Sequence, residues 1–125
     1  MSAYRILRHR DTNAIILPRV KWCASTWCRF RGLMMVKDLP PTDGLLFVGG
    51  RESRVDTTIH MLFMRLTIGV VWLDGSGQVV DKKLAKPWRL AYAPQSPAQY
   101  FLEANTDILD RVEIGDFLQF DETAS

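Results

Sequence analysis

The chain has 125 residues, enough for one domain with a single core, and its 47% hydrophobic and 24% charged residues exclude a disordered chain. Every apolar run is shorter than the roughly 20 residues that a membrane-spanning helix needs. The opening MSAYRILRHRDTN lacks the apolar segment of a signal peptide. We therefore expect a cytoplasmic protein with no part in a membrane.

The net charge of +2 is unevenly distributed. Residues 1–37 contain eight Lys or Arg and one acid, giving +7, and the remaining residues sum to −5. Such a basic segment could belong to an adaptor that binds protein or nucleic acid through its first third. We favour a second interpretation, in which these bases form the wet faces of strands beside the acidic remainder, because no aromatic-interleaved or glycine-rich nucleic-acid motif accompanies them.

The first third predicts two strands and a helix. YRILRHR and AIILPRVKW are typical of strands joined by a turn at residues 11–13, and Pro18 predicts an edge or a bulge in the second strand. Ser25 or Thr26 can cap a short helix that ends near Val36.

Cys23 and Cys28 are separated by four residues, which is not the C-x-x-C spacing. No second Cys or His pair follows at the distance of a zinc site. We therefore expect two buried, reduced thiols.

The middle of the chain predicts further strands. LLFV is typical of a short buried strand before a polar loop, GGRESR, and the β-branched and apolar residues 57–73 favour strand. DGSG between IGVVWL and QVVDKKL predicts a β-hairpin. On a strand, His60 and Met64 would lie about 13 Å apart on one face and Met61 on the other, so we interpret both methionines as core residues and not as metal ligands.

The last third predicts a loop, two strands and a helix. AKPWRLAYAPQSPAQ is typical of an extended, exposed loop, AQYFLEA of a strand, TDILDRV of a short helix, and EIGDFLQF of a turn and a last strand. The elements together predict a mainly β fold with minor helix: a small closed or half-closed β-barrel-like domain over residues 1–120, with about seven strands and two short helices. Residues 121–125 are predicted to be a flexible tail.

Six segments follow one another in an order found in a known family: RFRGLMM, DGLLFV, IHMLFMRLTIGVVWLD, KPWRL, QYFLEA and VEIGDFLQF. With these segments the chain resembles the domain-of-unknown-function family 192. The resemblance implies a small β-rich prokaryotic protein with no established activity. It also reveals three departures: Gly69 stands where the family has an aspartate, residues 103–107 replace the family's E-L-P-A-G, and Thr67 stands where the family has a proline.

Four residues are candidates for ligand binding. Arg65 needs solvent or an anion, and without the family aspartate it could hold an external one. Trp88 and Arg89 are adjacent on a proline-bounded loop and could stack on and pair with a planar or anionic ligand. His60 is a lone histidine in an apolar segment. The alternatives are a core or rim position for His60, and a Trp88 that anchors its loop to the barrel beside a solvated Arg89.

The sequence contains none of the common hydrolase, metalloprotease or phosphate-binding motifs. We therefore predict a module that binds an unidentified small ligand or protein partner, without catalysis, cofactor or metal, and with nucleic acid as the less favoured partner. The main alternative is an enzyme with a site built from His60, Arg65 and Arg89, with the thiol of Cys28 as an optional member, because Cys–His pairs meet only in space.

Overall fold

The computed structural model describes residues 4–25, 28, 32–33, 36–61, 63–89 and 91–122. It contains seven strands: β1 (Tyr4–His9), β2 (Ile15–Cys23), β3 (Asp43–Ser53), β4 (Ile68–Leu73), β5 (Val79–Ala85), β6 (Ala98–Ala104) and β7 (Leu118–Glu122). One short helix, α1 (Ile108–Arg111), is present in this part of the chain. The prediction of a mainly β fold is confirmed. The first of the two predicted helices falls mostly outside the described residues.

The strands form one curved sheet in the order β5-β4-β6-β3-β2-β1-β7. Its two edge strands meet at one end, where Gln78 and Phe117 form an antiparallel bridge and the Leu118 N–H donates to the Gly77 carbonyl at 2.9 Å. The sheet is therefore a half-barrel, closed at the end that carries the β4–β5 turn. No helix in the described ranges is long and apolar enough to cross a membrane.

The two faces of the sheet bury two different cores. The inner core fills the half-barrel and includes Leu7, Leu46 and Leu102. The outer core lies against the opposite face and includes Phe47 and Trp72. Strand β4 contributes to both, and all six of its residues are buried, which explains why IGVVWL is a continuous apolar run and not an alternating one.

Helix α1 packs against the start of β4. Ile108 is fully buried there, and the carbonyls of Leu109 and Val112 accept hydrogen bonds from the Lys82 ammonium of β5. A cation at the end of a helix satisfies carbonyls that have no partner within the helix. The lysine thus fastens α1 to the edge of the sheet.

The predicted strand over residues 57–67 is wrong. The Met64 N–H donates to the Met61 carbonyl at 3.2 Å in a tight turn, and Phe63 has a φ of +63°, a backbone conformation that strands do not contain. The apolar side chains of this segment instead cover the outer face of the sheet, and burial of that kind selects the same residue types as a strand does.

Three other local predictions have clear outcomes. Pro18 lies in a strand with neighbours on both sides, but the register with β1 shifts between Leu17 and Val20, so the predicted bulge is confirmed and the bulge accommodates the missing N–H. GGRES is not a loop, because β3 continues to Ser53. Strand β7 continues to Glu122, two residues into the predicted tail; residues 123–125 lie outside the described residues.

Cys23 and Cys28 form a disulfide, with their Cα atoms 5.6 Å apart, so the prediction of two reduced thiols is wrong. The chain turns sharply after β2, where the Cys28 N–H donates to the Ser25 hydroxyl at 3.1 Å. This local turn brings the two cysteines within bridging distance although their spacing is not C-x-x-C.

Candidate functional site

Two loops lie side by side at the open end of the β4–β5 hairpin: residues 57–67, which precede β4, and residues 86–97, which follow β5. Ile59 and Tyr92 exchange both backbone hydrogen bonds at 2.9 Å. Further along, the Met61 N–H donates to the Arg89 carbonyl at 2.9 Å and the Met61 carbonyl accepts from the Trp88 N–H at 2.7 Å. These hydrogen bonds bring together two segments that carry separate candidate residues: His60 and Arg65 in the first, and Trp88 and Arg89 in the second.

Phe63 and Trp88 form an exposed aromatic pair where these loops meet. Their ring centroids lie 5.2 Å apart in an edge-to-face arrangement. Phe63 is 53% exposed and Trp88 is 59% exposed. Both have left-handed backbones, with φ of +63° and +67°, which costs a residue with a side chain roughly 1–2 kcal/mol. The structure thus holds two apolar rings in solvent at a conformational cost.

The side chains around this pair are basic. His60, Arg65, Lys86 and Arg89 are exposed, and residues 57–73 and 82–102 contain no Asp or Glu. No ion pair joins Arg65 or Arg89 to a carboxylate of the described residues. We call Phe63, Trp88, His60, Arg65 and Arg89 the aromatic–basic surface.

Side-chain hydrogen bonds hold the Trp88 loop in place. The Gln95 N–H donates to the Asp81 carboxylate at 2.9 Å, and the Gln95 amide returns to the Val80 carbonyl at 2.8 Å. Arg54 donates to the Pro94 carbonyl at 2.9 Å. A loop fixed in this way loses little further entropy on binding. Trp88 itself is mostly exposed and is not buried against the barrel, whereas Arg89 is exposed, as the alternative of a solvated Arg89 has it.

The other candidates from the sequence divide by exposure. Met61 and Met64 are 0% and 4% exposed in the outer core, as the core interpretation predicts. His60 is exposed, so a core position for it is wrong. Cys28 is bonded to Cys23 and has no thiol to act as the nucleophile of the enzyme alternative. Within the described ranges, no group of three or more His, Cys, Asp or Glu side chains could hold a metal ion.

Gly69 leaves no room for the aspartate that the resemblance implies. A Cβ there would lie 2.5 Å from Ile108 Cγ2, 3.1 Å from Leu109 Cγ and 3.3 Å from the Asn105 carbonyl oxygen. Asn105 belongs to the second departure from the family pattern. These two departures therefore lie against each other and are explained together by the close packing of α1 on β4.

Glu103 is a buried acid that sequence reasoning gave no role. It is 6% exposed on β6, between Leu45 and Val70 in the strand register. Burial raises the pKa of this carboxyl to about 8, because a charge is costly in apolar surroundings. A family segment, QYFLEA, carries it into the outer core.

The basic first third contacts the acidic remainder, as its wet-face interpretation predicts. Arg8 pairs with Asp121 at 2.7 Å, and Arg19 lies 3.8 Å from Asp43. Arg29 and Arg31 fall outside the described residues.

The fold and the site together define the class of this chain. It is a small β-rich protein: a seven-stranded half-barrel that carries an exposed aromatic–basic surface. The sequence profile of DUF192, described as "Uncharacterized ACR", matches residues 6–120. The chain belongs to this family, and the resemblance seen in its motifs is confirmed.

Two relatives are UPF0127 proteins of archaeal Thermococcus species. That of Thermococcus kodakarensis is 42% identical over 107 residues, which cover 84% of this chain and 66% of the relative. That of Thermococcus sibiricus is 39% identical over 118 residues, which cover 93% of this chain and 75% of the relative. The chain thus spans slightly less than two thirds of the first relative and three quarters of the second.

Two solved structures share the fold. A candidate transcription regulator from Sinorhizobium meliloti has a TM-score of 0.78 at 22% identity, over 94% of this chain and 91% of that one. A protein of unknown function from Novosphingobium aromaticivorans has a TM-score of 0.79 at 17% identity, over 93% of this chain and 83% of that one. At these identities the likeness concerns the fold alone.

Proposed function

We propose that the chain is a binding module whose aromatic–basic surface docks an acidic segment of a protein partner. The observation that carries this proposal is the exposed, edge-to-face pair of Phe63 and Trp88, each in a left-handed backbone conformation. Strain and apolar exposure both cost folding free energy, and costs of this kind concentrate where a function needs them.

The composition of the surface favours a protein partner over a small ligand. Tryptophan and arginine are the residue types that dominate the binding energy of protein interfaces, and both stand here on an outward-facing surface, whereas small ligands prefer concave pockets. The cations Arg65 and Arg89, and the neighbouring His60, have no acid in their own segments. Complementary charge on the partner would steer association and fix its orientation.

A titration with model polyanions tests this proposal. The probe is a short peptide of Glu and Tyr residues, followed by backbone amide NMR shifts, with a Lys and Tyr peptide as the matched control. We expect chemical-shift changes in residues 57–66 and 86–92. The affinity should fall about tenfold or more in Trp88→Ala, and it should also fall at high salt.

Three outcomes separate the alternatives. Equal binding of the Lys and Tyr peptide, or binding that Trp88→Ala leaves unchanged, would contradict the proposal. Tighter binding of single-stranded oligothymidine at the same residues would make nucleic acid the partner, because bases also stack on aromatic side chains beside basic groups. Shifts centred on residues 4–23 would favour the adaptor that uses the basic first third.

A cytoplasmic location is part of this proposal. It requires that the disulfide between Cys23 and Cys28 resists the reducing pool, which is rare in most cytoplasms and common in hyperthermophile proteins. Alkylation of thiols in intact cells, followed by mass measurement, should leave both cysteines unmodified. Two alkylated cysteines would show that the bridge does not form in that compartment.

A further inference from the structure

A cavity of about 240 Å³ lies at the closed end of the half-barrel, at the opposite end of the β4–β5 hairpin from the aromatic–basic surface. Three aromatic residues from three strands line it: Trp22 of β2, Tyr100 of β6 and Phe120 of β7. The β4–β5 turn, residues 75–77, and Arg10 form its rim.

The aromatic residues form walls around the space and do not fill it. The Trp22 ring lies 6.4 Å from that of Tyr100 at an interplanar angle of 49°, and 5.9 Å from that of Phe120 at 72°. The Arg5 guanidinium covers one face of the Trp22 ring, 4.9 Å from its centroid. The tilted arrangements leave the faces of Tyr100 and Phe120 that line the cavity available to a further planar group. Within the described part of the chain, neither the Trp22 indole N–H nor the Tyr100 hydroxyl has a hydrogen-bond partner, so both can donate to a ligand.

Arg10 places a fixed cation at the rim. Its Nη2 donates to the carbonyl of Ser76 at 2.7 Å and to that of Leu118 at 3.3 Å. These bonds hold the guanidinium across the closure between the β4–β5 turn and β7, while Nε and Nη1 make no such bond in the described chain. A guanidinium held by carbonyls through one nitrogen can still donate to an anion through the others.

We propose that this cavity binds a small planar aromatic molecule that carries an anionic group. The volume lies below the roughly 300–1,000 Å³ of pockets for drug-sized ligands, so the ligand is the size of one ring or two fused rings. The rings of Trp22, Tyr100 and Phe120 accept its flat face. Its anionic group pairs with Arg10 at the rim. Two carboxylates at the turn already accept hydrogen bonds: that of Glu52 from the Gly75 N–H at 2.7 Å, and that of Asp74 from the Ser76 and Gln78 N–H groups.

The experiment uses indole-3-acetate as the probe, with neutral indole and acetate as matched controls, in NMR titrations of the whole chain. We expect saturable shifts at residues 75–77 and 118–120, and weaker binding of each control by about tenfold or more. Absence of saturable shifts at these residues would overturn the proposal. Equal affinity for neutral indole would overturn its anionic part.

Conservative variants locate the ligand without disturbing the core. Trp22→Phe and Tyr100→Phe keep the rings and remove one donor each, so each should weaken binding about fivefold. Arg10→Gln should weaken it about tenfold. Ser76→Trp, at an exposed rim position, should block entry even if the other variants fold poorly. Unchanged affinity in Ser76→Trp would place the probe elsewhere.

Trp88→Ala separates this proposal from the function proposed above. It should leave indole-3-acetate binding unchanged while it weakens binding of the acidic peptide about tenfold or more. Loss of both in Trp88→Ala would mean that the probe binds the aromatic–basic surface, which would overturn the cavity as the ligand site.

Discussion

The two ends of the β4–β5 hairpin use aromatic residues in opposite ways. At the closed end, Trp22, Tyr100 and Phe120 are half-buried around a cavity. At the open end, Phe63 and Trp88 are exposed on two loops that pair with each other. The closed end thus offers a cavity of the size of a small ligand, and the open end offers an exposed surface of the kind that contacts a larger partner.

Backbone conformation follows the same division. The closed end has Gly77 at a φ of +89°, where glycine is free of strain, and the Asp74 carboxylate accepts hydrogen bonds from Ser76 and Gln78. Although desolvation acts to raise the pKa of Asp74, these bonds outweigh it and lower that pKa. The open end has left-handed backbone at residues with large side chains. The strained residues with large side chains therefore lie at the open end; Asn13, in the turn between β1 and β2, also has a positive φ of +60°, a conformation that asparagine tolerates.

The largest effect expected from one substitution at a fixed pH comes from removing the support of the open end. Gly69→Asp should destabilise the protein by about 4 kcal/mol, because the new carboxylate would overlap Ile108 in a buried site. Urea unfolding measures this loss. Gly50→Ala is the control, since a Cβ there meets nothing within 4 Å, and should change stability by less than about 0.5 kcal/mol. If Gly69→Ala combined with Ile108→Ala recovers no stability relative to the single variants, the assigned contact is wrong.

The next effect concerns the outer core beneath the loops. Glu103 has a pKa of about 8 in the folded chain against an ordinary 4.5, so the folded state holds a proton that the unfolded state loses. Stability should fall by about 1.4 kcal/mol per pH unit as pH rises from about 4.5 to about 8. Glu103→Gln should abolish this slope in unfolding curves.

Asp121→Asn is the matched control for that slope. The hydrogen bond from Gln119, and that from Arg8, lower the pKa of Asp121, so its contribution is present above the ordinary pKa and is lost as pH falls. The slope between pH 5 and 8 should remain in this variant. A slope that persists in Glu103→Gln would assign it to another group.

A smaller effect tests the closed end. In Gly77→Ala the new Cβ would lie 2.7 Å from the Leu118 carbonyl oxygen in a backbone with φ of +89°, at an expected cost of about 2 kcal/mol. Gly115→Ala shares the positive φ, at +99°, but meets no atom within 4 Å, so it should lose about half as much. Hydrogen exchange at the Leu118 amide should accelerate in the first variant alone. Equal losses in both would mean that the closure contributes no steric constraint.

The smallest expected effect is a reversed preference at position 88 of the open end, where glycine rather than alanine should give the more stable protein. Trp88→Gly should be more stable than Trp88→Ala by about 1 kcal/mol, because glycine adopts a φ of +67° without strain. The control is Leu84, an exposed residue within β5. Leu84→Ala should be more stable than Leu84→Gly by a similar amount. If alanine is also preferred at position 88, the left-handed backbone of Trp88 stores no strain.

The sequence predicted the hairpin and missed the sites for identifiable physical reasons. IGVVWL, DGSG and QVVDKKL carry apolar strands and turn chemistry within a few residues of each other, so local rules suffice. The cavity is formed by Trp22, Tyr100 and Phe120, which come from three strands far apart in the chain. Only the sheet order brings them together.

The open end was predicted in part. Trp88, Arg89 and Arg65 were identified by residue type, and the structure places all three at the surface. Phe63 was assigned to a strand, because an apolar segment that covers a sheet has the same composition as one within it. The disulfide was missed because it depends on a turn at Ser25 that spacing alone does not reveal.

Strand β5, to which Lys82 fastens helix α1, is an edge of the sheet, and edges invite pairing with other chains. Hydrogen bonds to neighbouring residues of the same chain already occupy part of this edge. The Val80 carbonyl accepts from Gln95, the Lys82 N–H donates to Asp81, and the Lys86 N–H just beyond β5 donates to the Tyr92 hydroxyl at 3.0 Å. A second copy would have to displace these bonds to add a strand. The chain can therefore display an adhesive aromatic surface next to a sheet edge without growing into fibres through that edge.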